Sequence, residues 1–231
     1  MRAKVLALII GCFGWIDVTA QEWKTVPDAE HRKSVVHLKG SNMVEGSGVV
    51  IKKIKDSDQH KGFYLGLILT ASHCVEDLSV FFDVKFYDGT KTLKNRPIKD
   101  LAHNIDYDND IAIIRALIPN NVTVTPLSLE SPKCNDVVIL SGYGAGEVRH
   151  WSAKYGGKKL MSEGHVIFSW GIQGDSGGPV VYKGKVIGVI CYGSGIRRLN
   201  SGRIVISPIN ASNVSRIKDY VDGYKEEVAI S

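Results

Sequence analysis

A serine enclosed by glycines is the feature of this sequence best suited to chemistry. The segment Gly174–Pro179 reads Gly-Asp-Ser-Gly-Gly-Pro and lies between two apolar runs. Glycines allow the backbone to turn sharply, so the amide N–H groups of Gly174 and Ser176 can point at one spot where a carbonyl oxygen gains negative charge. The pattern predicts a nucleophile, Ser176, beside an oxyanion hole formed by Gly174 and Ser176. A glycine-rich hairpin loop with an incidental serine is the alternative interpretation.

A serine hydroxyl is a weak nucleophile at neutral pH, so it needs a nearby base, usually a histidine that a carboxylate orients. Seven histidines are present, and all of them precede Ser176 in the chain: His31, His37, His60, His73, His103, His150 and His165. The glycines and the serine formally match the G-x-S-x-G elbow of α/β-hydrolases, but in that fold the histidine follows the serine. The elbow interpretation therefore fails, and the partners of Ser176 must lie upstream of it.

Three segments of the chain carry histidine, aspartate and serine in that order. They are Thr70–Cys74 (Thr-Ala-Ser-His-Cys), Asp110–Ile114 (Asp-Ile-Ala-Ile-Ile) and Gly174–Pro179. Together they resemble the three signature segments of trypsin-like serine proteases, which have the chymotrypsin fold. Gly142–Gly144 and Cys191–Gly195 resemble two further landmarks of that family, a glycine-aromatic-glycine turn and the strand that pairs with bound substrate. The resemblance covers most of the chain and implies hydrolysis of peptide bonds through an acyl-enzyme.

By this resemblance, His73 is the general base and then the general acid, Asp110 is its carboxylate partner, and Ser176 forms the acyl-enzyme. Asp106 and Asp108 are alternatives to Asp110, although we expect them to be solvated loop acids. No metal-ligand spacing, phosphate loop or cofactor fingerprint stands out, and this reaction requires no cofactor. The expected function is that of a serine endopeptidase. A catalytically silent homologue acting as a secreted binding module is the alternative, and esterase or acyl-transfer chemistry by the same serine is a second.

The resemblance also implies a pocket for the substrate side chain. Its walls would include Trp170, Gln173, Tyr192, Gly193 and Gly202. Trp170 occupies the position, six residues before Ser176, at which trypsin-like enzymes carry the aspartate that selects lysine or arginine. Cleavage after basic residues is therefore not expected, and the indole would favour small or apolar residues. Arg197, Arg198 and Arg203 leave an acidic preference open, although solvated loop arginines are the simpler interpretation.

The resemblance implies that the acid before the serine, Asp175, has a positively charged partner, and a buried carboxylate without one would be costly. In zymogens of the resembled family, a cut before an Ile-Val-Gly-Gly-like sequence frees an amino terminus that pairs with this acid. No such sequence precedes Ser34. Either removal of a signal peptide before Gln21 creates the required amino terminus, or Asp175 has another partner. We expect activity without a propeptide.

The cysteines allow at most one intramolecular disulfide. If Cys12 leaves with a signal peptide, Cys74, Cys134 and Cys191 remain. The resembled family usually bridges the cysteine after the catalytic histidine to one on an earlier strand, but no cysteine lies between positions 21 and 73. A pairing of Cys74 with Cys134 stays open. Cys191 stands where the family usually has a serine beside the triad, and we expect it to be a small buried packing residue.

The elements that must position these residues are short strands. Phe63–Thr70 and Val186–Tyr192 are mostly apolar runs of strand length, and each adjoins a candidate site residue. Short strands separated by glycine turns predict an all-β sandwich or barrel. The resemblance narrows this to two six-stranded antiparallel β-barrels, chymotrypsin-like, with a junction near 120–133. Only residues 210–227 show helical spacing, which predicts a C-terminal helix with Ser212 or Asn213 as its cap.

Length and composition are consistent with one protease domain over residues 21–231. The chain has 231 residues, 44% of them hydrophobic, which is enough to bury a full core. The formal net charge is +5, with basic and acidic residues interspersed, so a nucleic-acid partner is not expected. The expected partner is a protein or peptide substrate, and the expected state is a monomer.

The first 20 residues have the pattern of a signal peptide. Met1–Lys4 supplies positive charge, Val5–Ile16 is a short apolar run, and Val18–Ala20 is a small-residue cleavage site. We therefore expect a secreted protein, extracellular or periplasmic, without membrane attachment once the signal is removed. Residues 9–12, Ile-Ile-Gly-Cys, resemble a bacterial lipobox, so lipid anchoring at Cys12 stays open.

Overall fold

The fold is mostly β-structure. The computed structural model describes residues 24–26, 29–56, 62–75, 81–97, 110–158, 164–196 and 201–219. The strands in these ranges are β1 (Lys24–Thr25), β2 (Val35–Gly40), β3 (Glu45–Asp56), β4 (Phe63–Thr70), β5 (Phe82–Lys85), β6 (Lys91–Pro97), β7 (Ala112–Pro119), β8 (Val137–Gly142), β9 (Arg149–Lys158), β10 (His165–Phe168), β11 (Pro179–Tyr182), β12 (Lys185–Ile196) and β13 (Ser201–Pro208). The predictions for the signal peptide, Cys12, Asp106, Asp108, Arg197 and Arg198 lie outside the described residues.

The first half of the molecule is a closed antiparallel barrel of six strands, in the order β2-β3-β4-β7-β6-β5. Side chains alternate between the two faces of a strand, so every second residue points into the barrel. On β4, Ile68 belongs to the barrel interior, whereas Leu67 and Leu69 face the opposite side and pack against the second half. Strand β4 is therefore buried on both faces, which explains why its sequence is a continuous apolar run.

The second half is a seven-stranded antiparallel sheet in the order β1-β9-β10-β13-β12-β11-β8. Strand β8, at the other end of this order, also pairs with β9, so the sheet curves back on itself. Its own core includes Leu140, Trp151, Ile167, Ile190 and Ile206. The predicted all-β, chymotrypsin-like fold with two six-stranded barrels is confirmed as a mostly β fold, in which the first half is a closed six-stranded barrel and the second is a half-barrel sheet with the short β1 added beside β9. The chain passes from one half to the other between the end of β7 and the start of β8.

A helix covers residues 211–219 and follows β13. Its N-cap is Asn210, whose Oδ1 accepts a hydrogen bond from the Asn213 N–H at 3.0 Å, while the Asn213 Oδ1 accepts one from the Asn210 N–H at 2.9 Å. The predicted helix is present, but the predicted cap at Ser212 or Asn213 was wrong by two or three positions because Asn210 already supplies the side-chain oxygen. Ile217 packs into the contact between the two halves. In the described part of the chain, no helix is long and apolar enough to cross a membrane.

Candidate active site

Strand pairing in the first barrel brings His73 and Asp110 together. Strand β4 runs antiparallel to β7 with Thr70 opposite Ala112. His73 comes three residues after Thr70, in a 3₁₀ turn over Ser72–Cys74, and Asp110 comes two residues before Ala112. Both therefore leave the barrel at the same end, and Nδ1 of His73 lies 2.6 Å from Oδ2 of Asp110. The structure places the predicted base beside the predicted carboxylate.

Asp110 is 2% exposed and both of its oxygens are hydrogen bonded. Its Oδ1 accepts the Ser72 hydroxyl at 2.6 Å and the His73 backbone N–H at 2.8 Å. Its own N–H donates to the Ser207 hydroxyl oxygen at 2.9 Å. Burial raises the pKa of Asp110, but the hydrogen bonds from His73 and Ser72 outweigh it and leave the pKa below its usual value. Asp110 is therefore ionised and aimed at the imidazole.

His73 is only partly buried, so one edge of the ring remains accessible. Burial lowers the pKa of His73, while the hydrogen bond to Asp110 and the neighbouring Cys74 thiol raise it, with a net shift above 6.5. Since Nδ1–H is directed at Asp110, the lone pair of a neutral ring lies on Nε2. The pair can thus accept a proton at Nε2 more readily than a free histidine.

The loop that carries Ser176 belongs to the second half but is held by the first. The Ser47 hydroxyl donates to the Gly174 carbonyl oxygen at 2.6 Å, and the Ser47 N–H donates to the Ser176 carbonyl oxygen at 2.7 Å. A Cβ placed on Gly46 would lie 3.0 Å from Cys74 Sγ and 3.2 Å from the Ser176 carbonyl oxygen. The loop therefore packs directly against the turn that contains His73.

The backbone of this loop leaves two N–H groups available. Gly174 has φ of +95°, a conformation that favours glycine, and Ser176 follows two residues later. Within the described part of the chain, neither the Gly174 N–H nor the Ser176 N–H is given to a protein acceptor. The N–H groups around them are used, since Asp175 donates to Ile172 and Gly177 to Ile190. The two unused donors are those that the sequence assigned to the oxyanion hole.

The Ser176 side chain donates its hydroxyl to the Cys191 carbonyl oxygen at 3.2 Å. A hydroxyl has one proton, so in this orientation that proton is not given to His73. Rotation about the Cβ–Oγ bond, with or without a change of the Cα–Cβ rotamer, would redirect the proton. Ser176 is partly exposed, which leaves room for this rotation.

Asp175 has a partner that sequence reasoning did not identify. The guanidinium of Arg149, at the start of β9, forms an ion pair with Oδ2 of Asp175. The Ile172 N–H donates to the same oxygen at 2.8 Å, and the Gly144 N–H donates to Oδ1 at 2.9 Å. Burial raises the pKa of Asp175, and these hydrogen bonds and the arginine oppose that rise without cancelling it.

The glycine-aromatic-glycine turn is explained by this carboxylate. A Cβ on Gly142 would lie 2.5 Å from Oδ1 of Asp175, and one on Gly144 would lie 2.6 Å from the same atom. Any side chain at either position would displace Asp175. The predicted landmark therefore makes room for the acid beside the nucleophile.

The predicted pocket residues lie on three neighbouring segments. Trp170 is partly buried, Gln173 is exposed, and a Cβ on Gly202 would lie 2.8 Å from Trp170 Cβ. Tyr192 and Gly193 are on β12 and pair with β13 at Val205 and Ile204, next to the strand that carries Gly202. The Trp170 ring lies 5.4 Å from the Arg149 guanidinium carbon. Arg203 is exposed at the end of this region.

All three described cysteines are free, so the Cys74–Cys134 pairing does not form. The missing partner of Cys74 is explained by Gly46, because the Cβ of a residue there would lie 3.6 Å from Cys74 Cβ, a spacing typical of a disulfide. Cys191 is buried, as predicted, and its thiol donates to the Ser207 hydroxyl oxygen at 3.1 Å. Burial raises the pKa of the Cys191 thiol, which therefore stays neutral.

The chain is similar to one known sequence family. The family model described as Trypsin matches residues 40–215, well over half of the chain. No curated protein matches the chain significantly in sequence.

Three solved structures have a fold similar to that of this chain. Rv3671c from M. tuberculosis H37Rv, solved as an inactive serine-to-alanine mutant, is 20% identical over 87% of this chain and 95% of that chain, with a TM-score of 0.57. The serine endoprotease from Yersinia pestis is 18% identical over 83% of this chain and 63% of that chain, with a TM-score of 0.60. The thermostable serine protease AL20 from an extremophilic microorganism is 15% identical over 78% of this chain and 92% of that chain, with a TM-score of 0.59. The family match and the shared fold agree, and the chain belongs to the trypsin family of serine proteases.

Proposed function

We propose that this protein is a secreted serine endopeptidase that uses Ser176 as nucleophile, His73 as general base and acid, and Asp110 as the carboxylate that orients His73. The observation that best supports this is the 2.6 Å hydrogen bond between His73 and Asp110, formed where the Ser176 loop packs against the first barrel. A base without a serine nearby, or a serine without a base, would not support covalent catalysis.

The first step is acylation. The Ser176 hydroxyl turns from the Cys191 carbonyl to Nε2 of His73, which takes its proton as Oγ attacks the peptide carbonyl carbon. The negative charge that forms on the carbonyl oxygen is bound by the N–H groups of Gly174 and Ser176. His73 then gives the proton to the leaving amine, and the C–N bond breaks. Asp110 stabilises the imidazolium throughout and stays ionised.

The second step is hydrolysis of the acyl-enzyme. A water molecule attacks the ester carbon while Nε2 of His73 accepts one of its protons. The same two N–H groups bind the second oxyanion, and collapse returns the proton to Oγ of Ser176. The released products are an amine and a carboxylic acid, and the enzyme returns to its starting protonation state.

The sequence supports a proposal for the substrate and the location. We propose that residues 1–20 are removed on export and that residues 21–231 form the protease domain. The indole of Trp170, in the position that would otherwise carry a selective acid, favours small or apolar side chains before the cleaved bond. Cleavage of a mixed peptide library would test this, and strong selection for lysine or arginine would contradict it.

Labelling of Ser176 by a fluorophosphonate probe tests the proposed chemistry. We expect the mature protein to be labelled and to hydrolyse peptides, and we expect Ser176→Ala to lose both. Loss of the nucleophile should lower kcat by about six orders of magnitude, since triad members act as a unit. Ser128→Ala, on the connection between the halves, is the matched control and should keep full activity.

A binding module without catalysis is the second candidate, and one observation favours it. The Ser176 hydroxyl proton is given to Cys191 and not to His73. If folded wild-type protein is neither labelled nor active on any peptide of the library, the binding module replaces the protease. Labelling that requires both Ser176 and His73 excludes it.

A further inference from the structure

The carboxylate of Asp175 is the most completely enclosed charge in this region. It is 1% exposed and precedes the candidate nucleophile directly. Two backbone N–H groups, of Gly144 and Ile172, bind its two oxygens. Neutral donors alone do not compensate a buried charge, which requires a cation or a proton. The Arg149 guanidinium is the cation that contacts it.

Arg149 is held in place by aromatic side chains as well as by charge. Its guanidinium carbon lies 4.8 Å from the Trp151 ring and 5.4 Å from the Trp170 ring. Trp151 is buried, and its indole N–H donates to the Ser169 hydroxyl at 2.8 Å. The Arg149 side chain is 28% exposed, so its charge keeps some contact with water. A guanidinium is a planar cation with several N–H donors, so it can bind a carboxylate through charge and hydrogen bonds together.

The carboxylate of Asp175 is bound from several sides, next to the two oxyanion donors. Asp175 lies between Gly174 and Ser176, and its carboxylate is bound from three directions, by β9, by the turn after β8 and by the Ile172 backbone. The position of the carboxylate therefore determines how the peptide groups on either side are turned. Without the cation, the cheapest response is for the carboxylate to move towards water, which would rotate those N–H groups away from the substrate.

The amino-terminal strand leads away from this acid. Strand β1 pairs antiparallel with β9, with Lys24 opposite Ser152 and Thr25 opposite Trp151, and the Val26 N–H donates to the His150 carbonyl. Within β1, the residue nearer the amino terminus, Lys24, is therefore farther along β9 from Arg149 than Thr25 is. The site beside Asp175 is already filled by a side chain of the same sheet.

We propose that Arg149 is a positioning residue for the nucleophile loop: by pairing with Asp175 it keeps the oxyanion hole formed, so that no newly freed amino terminus is needed. This inference rests on the proposed hydrolysis by Ser176. It assigns to an internal arginine the task that an amino terminus performs in the zymogens that the sequence resembles.

The test compares Arg149→Ala and Arg149→Lys with Lys154→Ala, an exposed residue of the same strand. Each is made in the full chain, and folding is checked by near-ultraviolet circular dichroism. Because the oxyanion donors act in the transition state, Arg149→Ala should lower kcat by about 10²–10³ with little change in KM. Arg149→Lys should fall between Arg149→Ala and the wild type, and Lys154→Ala should match the wild type.

Chemical rescue separates positioning from a general loss of structure. Guanidinium chloride, added well below its unfolding concentration, should raise the kcat of Arg149→Ala by about tenfold or more, because the ion can occupy the space between the two indoles. The same addition should not raise the kcat of the wild type or of Lys154→Ala. Unchanged kcat in a folded Arg149→Ala protein would overturn the inference.

A second measurement does not depend on folding of a variant. The chain from Gln21, carrying an added amino-terminal tag that is not removed, should be as active as the untagged chain. Activity that appears only after the tag is cut off would overturn the inference while leaving the hydrolysis by Ser176 intact. A wild-type protein that neither reacts with fluorophosphonate nor cleaves peptides would overturn the proposed function, and this inference with it.

Discussion

Asp110 and Asp175 are two buried carboxylates on the two sides of one candidate active site, and they are held in different ways. Asp110 belongs to the first barrel and shares its charge with His73, a group that gains and loses a proton during the proposed reaction. Asp175 belongs to the second half and is paired with the guanidinium of Arg149, which takes no part in the proposed proton transfer. Both carboxylates also accept hydrogen bonds from the backbone, so the two acids differ mainly in the side chain that balances their charge.

The pKa values of the two acids shift in opposite directions. The hydrogen bonds of His73 and Ser72 overcome burial and lower the pKa of Asp110, while burial prevails at Asp175 and raises its pKa. A carboxylate that stabilises a transient imidazolium must be strongly ionised. A carboxylate that holds a loop in place must instead be enclosed and matched by a fixed cation. The comparison indicates that one acid serves proton transfer and the other serves geometry.

Replacing Asp110 by asparagine should have the largest effect on the reaction. The neutral amide carries no charge to stabilise the imidazolium, and its NH2 group can hold the ring in the wrong tautomer, so kcat should fall by about 10⁴. In the wild type, kcat/KM should fall as the pH decreases through the raised pKa of His73, above 6.5, because a protonated ring cannot act as base. In Asp110→Asn the residual activity should lose this limb or show it at lower pH. A pH–rate profile of both proteins checks this, and a kcat within tenfold of the wild type would contradict the role of Asp110.

Asp175→Asn should have a smaller effect on the reaction and a larger one on folding. The amide cannot pair with Arg149, so the oxyanion donors lose their support and kcat should fall by about 10²–10³. We expect the free energy of unfolding to fall by about 1–3 kcal/mol, since polar groups are left unsatisfied. Urea unfolding of Asp110→Asn and Asp175→Asn, measured together, checks the contrast. If Asp175→Asn kept full activity, the two acids would not differ in the way described.

Ser72→Ala should weaken only the support of Asp110, and through it the proton transfer by His73. The Ser72 hydroxyl donates to Asp110 at 2.6 Å, and a hydrogen bond to a charged group contributes about 1.5–3 kcal/mol, so kcat should fall by about 10- to 100-fold. The Cys191 thiol lies beside Asp110 and Ser207. Adding Cys191→Ser to Ser72→Ala should therefore restore much of the lost kcat, because a hydroxyl is a stronger donor than a thiol. Cys134→Ser, on the exposed cysteine, is the control and should restore nothing. If Ser72→Ala kept the wild-type kcat, Ser72 would have no part in supporting Asp110.

Above about pH 4, the loss of folding stability on acidification should come from two histidines and not from Asp110 or Asp175. His31 and His150 both bond to the Ser141 hydroxyl at 2.7 Å, and burial lowers the pKa of each to about 4, helped at His31 by His150 and at His150 by Arg32. Their folded pKa values lie below 6.5, so their contribution is present above pH 6.5 and is lost as the pH falls through 4.

The lowered pKa of Asp110 implies a loss only below its ordinary value of 3.8, which is a separate window. Urea unfolding at several pH values checks this distinction. Between pH 6.5 and 4, His31→Gln should remove up to about 3 kcal/mol of the decline in the free energy of unfolding. An unchanged slope in that variant would contradict the assignment to the histidines.

Much of the fold and of the candidate site could be predicted from local patterns. The residues of Thr70–Cys74, Asp110–Ile114 and Gly174–Pro179 are local signals, because each segment needs particular residue types at particular spacings to do its part. Strand periodicity likewise reports burial within one element. The helix was predicted from its spacing, although its cap was assigned to the wrong residue because Ser212, Asn213 and Asn210 are all suitable capping types.

Ser72 and Arg149 were not predicted as functional, and the physical reason is the same for both. Ser72 is one of many serines, and its importance depends on the β4–β7 register that brings Asp110 next to it. Arg149 is an ordinary charge at the start of a strand until β8 and β9 pair and place its side chain beside the nucleophile loop. The sequence contains only a weak signal for Arg149, which is that Trp151 follows it by two residues.

The sequence by itself determined the order of histidine, aspartate and serine and the glycines of the nucleophile loop, and its family resemblance implied a cationic partner for Asp175. These follow from backbone conformation and from the cost of burying charge, which are local or general properties. Only the tertiary structure decided that Arg149 is the cation, that Ser72 supports Asp110, and that the Ser176 hydroxyl points to Cys191. Such contacts join residues up to 38 positions apart, and their existence depends on strand register and on the packing of the two halves.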